Sequence, residues 1–127
     1  MKQIIFTENA PAPIGPYNQA VLVNDRTLYT SGQIALDPKT GELITSSIEV
    51  ETKQVMENMK AVLEAAGMSF ENVVKTTIFI SDMNDFAKIN SVYGAYFNEK
   101  TAPARETVQV ACLPKNVNVE ISMIAEK

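Results

Sequence analysis

The segment SSIEVETKQVMENMKAVLEAAG, residues 46–67, does most to limit what this chain can fold into. Val55, Met59, Val62, Leu63 and Ala66 recur at helical spacing and give it a single apolar face. Ser46 and Glu49 form an S-x-x-E capping box, and Gly67 supplies a C-terminal stop. A helix with one apolar stripe must lay that stripe on another layer. The rest of the chain offers mostly short β-branched runs for the purpose. These are IIFT, AVLVN, TLYTSGQI, NVVKTTIFIS, and two final strands at about Arg105–Leu113 and Val117–Ala125. A second helix is predicted over DMNDFAKINSVYGAYFNEK, with Asp82 as its cap and Phe86, Ile89, Tyr93, Tyr96 and Phe97 on one stripe. The order β-β-β-α-β-α-β-β predicts an α+β fold, a mixed sheet with both helices on one face. In the last strand Val117, Val119, Ile121 and Met123 face one way, and Asn118, Glu120, Ser122 and Ile124 the other. The face without helices is then either solvated or buried against other subunits.

At 127 residues, 46% of them hydrophobic, the chain is expected to form one domain across its whole length. No apolar run reaches the roughly 20 residues of a membrane span. MKQIIFTENAPAP is too short in its apolar part for a signal peptide, so a cytoplasmic location is expected. The chain has no histidine and one cysteine, Cys112. That removes the Ser-His-Asp triad, the Cys-His pair, internal disulfides and the common zinc sites. Neither GxGxxG nor GxxxxGK[ST] occurs. A net charge of −4 without a basic run argues against nucleic acid as a partner. An enzyme built from this set works with carboxylates, arginine, hydroxyls, backbone amides and water, without metal or cofactor.

Arg105 stands out in TAPARETVQVACLP: it is either a solvated strand end or a planar fork for a carboxylate, approached through the stiff Pro103. Glu120 is either a solvated strand residue or a functional carboxylate. If the last two strands form a hairpin at LPKN with residues 112 and 117 opposed, Arg105, Thr107 and Gln109 share a polar face with Glu120 and Ser122. Glu120 then lies about 13 Å along the strand from Arg105, so the two meet only through a ligand or in another register. Asn90 falls inside the apolar stripe of the second helix and reads as a buried amide, bonded to a loop carbonyl or to a ligand or interface. Gly32 in TSGQI is a strand bend or an amide donor for an anion. Tyr17, after Gly15-Pro16, presents a phenol or packs. Cys112 alternates with Val108 and Val110 and reads as a core thiol.

Taken together, ENAPAPIGPYNQA, YTSGQIALDPKTGE, NMKAVLEAAG, VVKTTIFISDMNDFAKINSVYGAYF, and PAR followed by LPKNVNVEI resemble the YjgF/RidA family of imine deaminases over essentially the whole chain. The resemblance implies a chorismate-mutase-like fold and a homotrimer with its sheets around a central barrel and ligand clefts between subunits. It implies hydrolysis of enamine and imine products of pyridoxal-phosphate-dependent serine and threonine dehydratases to 2-oxo acids and ammonia. Arg105 then holds the substrate carboxylate, helped by the Gly32 amide, and Glu120 positions or deprotonates water. Tyr17, Ser31 and Asn90 shape the pocket. Typical members read PARSCVEVARLP, whereas Thr107 here replaces the cysteine; that position acts at least partly through its backbone. Two alternatives stay open: a non-catalytic 2-oxo-acid-binding regulator, and an L-PSP-type endoribonuclease, which the acidic charge disfavours.

Overall fold

The computed structural model describes residues 1–127. Its elements follow the predicted order: β1 (Lys2–Ile5), β2 (Ala20–Val23), β3 (Thr27–Thr30), α1 (Ile48–Ala65), β4 (Val73–Ile80), α2 (Phe86–Gly94), β5 (Ala104–Gln109) and β6 (Val119–Glu126). Helix α1 starts one residue later than the capping box implies. Ser47, not Ser46, is its N-cap and accepts the Val50 N–H at 3.1 Å. At the other end Gly67 takes φ +73°, while the amides of Gly67 and Met68 return to Glu64 and Leu63. A left-handed residue there closes the helix without steric cost because glycine lacks a Cβ. Asp82 caps a short 3-10 turn, Met83–Asp85, and α2 begins after it. Tyr96 and Phe97 fall beyond the end of α2, yet both stay on the core through edge-on contacts with Phe70.

All six strands form one sheet in the order β1-β2-β3-β6-β4-β5. β5 runs parallel to β4, and the other neighbours are antiparallel. The expected hairpin of the last two strands is therefore absent. β4, α2 and β5 make a crossover unit, which places β5 beside β4 on the sheet edge. A turn at Pro114–Asn116, with Lys115 and Asn116 both left-handed, then carries the chain to the far side of β4. β6 inserts there, between β3 and β4. β5 also ends earlier than predicted, so Cys112 lies in the connecting loop, exposed, with Sγ 3.0 Å from Asn116 Oδ1. The core-thiol reading fails because the alternation it assumed stops at Gln109.

Both helices cover one face of the sheet. Val55, Met59 and Leu63 of α1 meet Ile78, Val119 and Ile121 of the sheet, all essentially inaccessible to water. Each such side chain contributes about 1.5–3 kcal/mol by its burial. The opposite face carries an apolar row, Val21–Tyr29–Ile124, across β2, β3 and β6. Beside it stand Thr77 and a Lys75–Glu106 ion pair. No helix is long and apolar enough to cross a membrane.

Candidate active site

Arg105 projects from edge strand β5 onto the helix-covered side, in register with Thr76 of β4. Helix α2 presents Phe86, Asn90 and Tyr93 to it, four and three residues apart and so on one helical face. The guanidinium carbon lies 5.1 Å from the Tyr93 ring centre and 5.7 Å from that of Phe86. Arg105 Nη1 donates to Asn90 Oδ1 at 2.7 Å. The chain's ion pairs are Arg26–Glu126, Lys75–Glu106 and Lys127–Asp25, so no carboxylate neutralises Arg105. Aromatic faces and an amide oxygen hold the cation in place without using up its charge. Tyr93 is itself fixed: its hydroxyl donates to Thr76 Oγ1 at 2.9 Å, deep in the core. Burial pushes the Tyr93 phenol above its ordinary value, against the Thr76 bond and the Arg105 charge, and keeps it a neutral donor. Asn90 corrects the sequence reading: it is exposed, and its carbonyl serves Arg105 rather than a loop. A cleft of about 290 Å³ opens here, between Asn90, Tyr93, Glu99, Ala102 and Arg105. Two residues further along β5, on the same face, the Thr107 hydroxyl oxygen is buried without a hydrogen-bond partner.

Glu120 lies elsewhere. It sits on β6 between the fully buried Val119 and Ile121, so its side chain leaves the sheet on the face away from the helices. Its carboxylate packs directly over Gly32: a Cβ at that glycine would stand 2.7 Å from Glu120 Cδ and 2.9 Å from Oε2. Only a residue without a side chain allows so close an approach. The Gly32 N–H has no acceptor within the chain. Burial holds the Glu120 carboxyl above the usual glutamate value. A small cavity of about 70 Å³ adjoins it, walled by Pro11, Ile14, Tyr17, Leu36 and Pro114. Tyr17 is half exposed there, its hydroxyl oxygen 3.4 Å from the Ile14 N–H.

The loop bearing Tyr17 is ordered by a residue that sequence reasoning passed over. Gln19 is buried; its Oε1 accepts the Thr7 N–H at 2.7 Å, and its Nε2 donates to the carbonyls of Thr7, Ala10 and Pro11. Nothing in PYNQA distinguishes that glutamine from a surface one. Ser31 joins the same framework, donating from Oγ to the Asn18 carbonyl at 2.6 Å. It ties the loop and is not among the side chains lining the Glu120 cavity.

The candidate residues thus form two half-sites. Arg105, Asn90 and Thr107 belong to one, and Glu120, Gly32 and Tyr17 to the other. β4 separates them: it pairs Thr76 with Arg105 and Phe79 with Glu120. Three residues along a strand is about 10 Å, and an odd offset places the side chains on opposite faces. The expectation that Arg105 and Glu120 share a face is overturned, because it depended on direct pairing of the last two strands.

The sequence model of the family described as endoribonuclease L-PSP matches residues 7–127. A RutC family protein of Pyrococcus horikoshii is 55% identical over 127 residues, covering 100% of this chain and 99% of its own. The mouse 2-iminobutanoate/2-iminopropanoate deaminase is 50% identical over 98% of this chain and 91% of its own. Among solved structures, Escherichia coli TdcF with bound serine superposes with a TM-score of 0.92 at 46% identity, covering 98% of each chain.

Proposed function

The chain belongs to the YjgF/RidA family, and we propose that it is a 2-iminobutanoate/2-iminopropanoate deaminase. In this reading it hydrolyses the imines that form from the enamine products of serine and threonine dehydratases, in the cytoplasm beside those enzymes. The observation that carries the proposal is Arg105: a guanidinium held between two aromatic rings and an amide oxygen, with no counter-ion of its own. A small planar carboxylate is the ligand such a fork suits best. TdcF, 46% identical, is a relative with a small amino acid bound.

The substrate carboxylate sits on Arg105, and the free Gly32 amide adds a second donor. An imine carbon is already electrophilic, so positioning supplies much of the acceleration. Water attacks that carbon while Glu120 takes its proton, forming a carbinolamine. Glu120 passes that proton to nitrogen to complete the neutral carbinolamine, then takes the carbinolamine O–H proton and delivers it to the amine; the C–N bond breaks, ammonia leaves, and the C=O of the 2-oxo acid forms. Tyr17, Asn90 and Thr107 shape the cleft, and Ser31 acts through the loop it ties down. The step balances without metal or cofactor.

One chain cannot deliver Arg105 and Glu120 to the same small acid, since they leave opposite faces of the sheet. A homotrimer with its open sheet faces turned inward answers this. The apolar row Val21–Tyr29–Ile124 becomes buried, and edge strand β5 of one copy brings Arg105 to the Glu120 half-site of the next. The RNA-directed alternative is disfavoured by the net charge of −4 and the lack of a basic run.

The test is a coupled assay in which a threonine or serine dehydratase generates the enamine, and 2-oxo-acid formation is followed with and without this protein. The wild type should accelerate it, and Arg105→Ala should lose about two orders of magnitude or more in kcat/KM. A folded wild type that binds 2-oxo acids without acceleration would replace catalysis with a binding-only, regulatory role.

A further inference from the structure

Glu51 lies in the first turn of α1, is fully buried, and takes part in none of the chain's ion pairs. Its three partners all sit at the start of β6. Oε2 accepts the backbone N–H of Asn118 at 2.7 Å and of Val119 at 3.2 Å, and Oε1 accepts from Asn118 Nδ2 at 2.8 Å. Asn118 is held from the other side by Ser81 at the end of β4. The Ser81 N–H donates to its carbonyl at 3.1 Å, and the Ser81 hydroxyl donates to its Oδ1 at 3.2 Å. Burying a carboxylate costs heavily, and here three N–H donors and the helix N-terminus offset that cost. For packing alone an apolar side chain serves as well or better. What the carboxylate adds is geometry. The chain reaches Asn118 from a turn with two left-handed residues, and Glu51 fixes where the strand begins. On the other side of Glu120, Ile121 exchanges both backbone bonds with Gln33, at 2.8 and 3.1 Å. Glu120 occupies the single position between these two anchors.

We infer that Glu51 is a positioning residue for Glu120: it grips the backbone of Asn118 and Val119 so that the next carboxylate stands over Gly32. The inference rests on the role proposed for Glu120. All three partners of Glu51 are N–H donors, so in Glu51→Gln the new NH2 must face one of them. Adding Asn118→Asp supplies an acceptor opposite that NH2, keeps the Ser81 hydroxyl bond and preserves the net charge.

The experiment combines kinetics with crystal structures of Glu51→Gln and of the Glu51→Gln, Asn118→Asp pair. The single variant should lose about tenfold or more in kcat with KM within about threefold, and the pair should recover most of the loss. In the crystals the Glu120 carboxylate should leave Gly32 in the single variant and return in the pair. An unchanged kcat in the folded single variant, an unmoved carboxylate, or a pair no better than the single variant would overturn the inference. If Glu51→Gln folds poorly, Asn118→Ala carries the same two readouts, since it keeps both backbone bonds at Oε2 and removes only the side-chain bonds of Asn118 to Oε1 and to the Ser81 hydroxyl. If the wild type shows no turnover, the functional reading falls, and the carboxylate positions in the crystals alone decide this inference.

Discussion

Replacing Gly32 with alanine separates the chemistry of the site from the stability of the fold. The backbone at Gly32 is not in the left-handed region, so alanine is not strained there. The added methyl would meet Glu120 Cδ at 2.7 Å, where ordinary contacts begin at 3.4 Å. The carboxylate must therefore retreat by about 0.7 Å, and more if it swings to another rotamer. It is the far end of a flexible side chain bordering a cavity, so the fold should lose about 1 kcal/mol or less. For catalysis a shift of that size is large: misplacing a reacting group by about 1 Å costs on the order of 10²-fold in rate. In the coupled imine assay Gly32→Ala should lower kcat by about that factor while Tm stays close to wild type. KM should change only severalfold, because Arg105 lies in the other half-site. A kcat within about twofold of wild type in a folded variant would refute the reasoning. So would a rise in KM with kcat intact, which would mean that the methyl blocks the ligand and that the position of Glu120 does not matter.

Three further outcomes follow from the same geometry. The Glu120 carboxyl is raised by burial, so in the unfolded chain it ionises at lower pH than in the folded one. Its contribution to stability is complete below the ordinary glutamate range and is lost as pH rises through the raised value. Glu120→Gln should accordingly gain in Tm relative to wild type between acid and neutral pH, and kcat/KM of the wild type should rise with pH through the same raised value. Thr107→Val removes the hydroxyl that has no partner; a Tm rise equivalent to up to about 1 kcal/mol is expected, with activity retained if this position acts through its backbone. Tyr93→Phe leaves the buried Thr76 hydroxyl without its partner and should cost about 1 kcal/mol by thermal unfolding. The ring under Arg105 remains, so kcat/KM should hardly move.

Legibility of the structure in the sequence followed the range of the interactions. Element order, the two helices and the inward face of β6 came from local periodicity and caps, and they stand, with Ser47 replacing Ser46 as the cap. The pairing of the last two strands did not come through. LPKN looks like a hairpin turn, and nothing local reveals that β4 separates the strands on either side of it. That one topological step moved Arg105 and Glu120 to opposite faces. Asn90 was noticed for sitting among apolar residues, but its use in holding Arg105 depends on a strand fifteen residues away. Gln19 and Glu51 were invisible for a related reason. Each is a polar residue whose partners lie 8 to 12 and 67 to 68 positions off, so the chain must fold before either has a function.

In the proposed trimer a working site takes Arg105 from one copy and Glu120 from another. Mixing tests it most directly. Arg105→Ala and Glu120→Ala are each expected to be inactive; they would be unfolded together, refolded at equal ratio, and assayed for imine hydrolysis. Random trimers built this way should regain about a quarter of the wild-type sites, because each copy can lend its intact half to a neighbour. No recovered activity, in hybrids shown to contain both variants, would contradict the shared site and return both residues to a single chain.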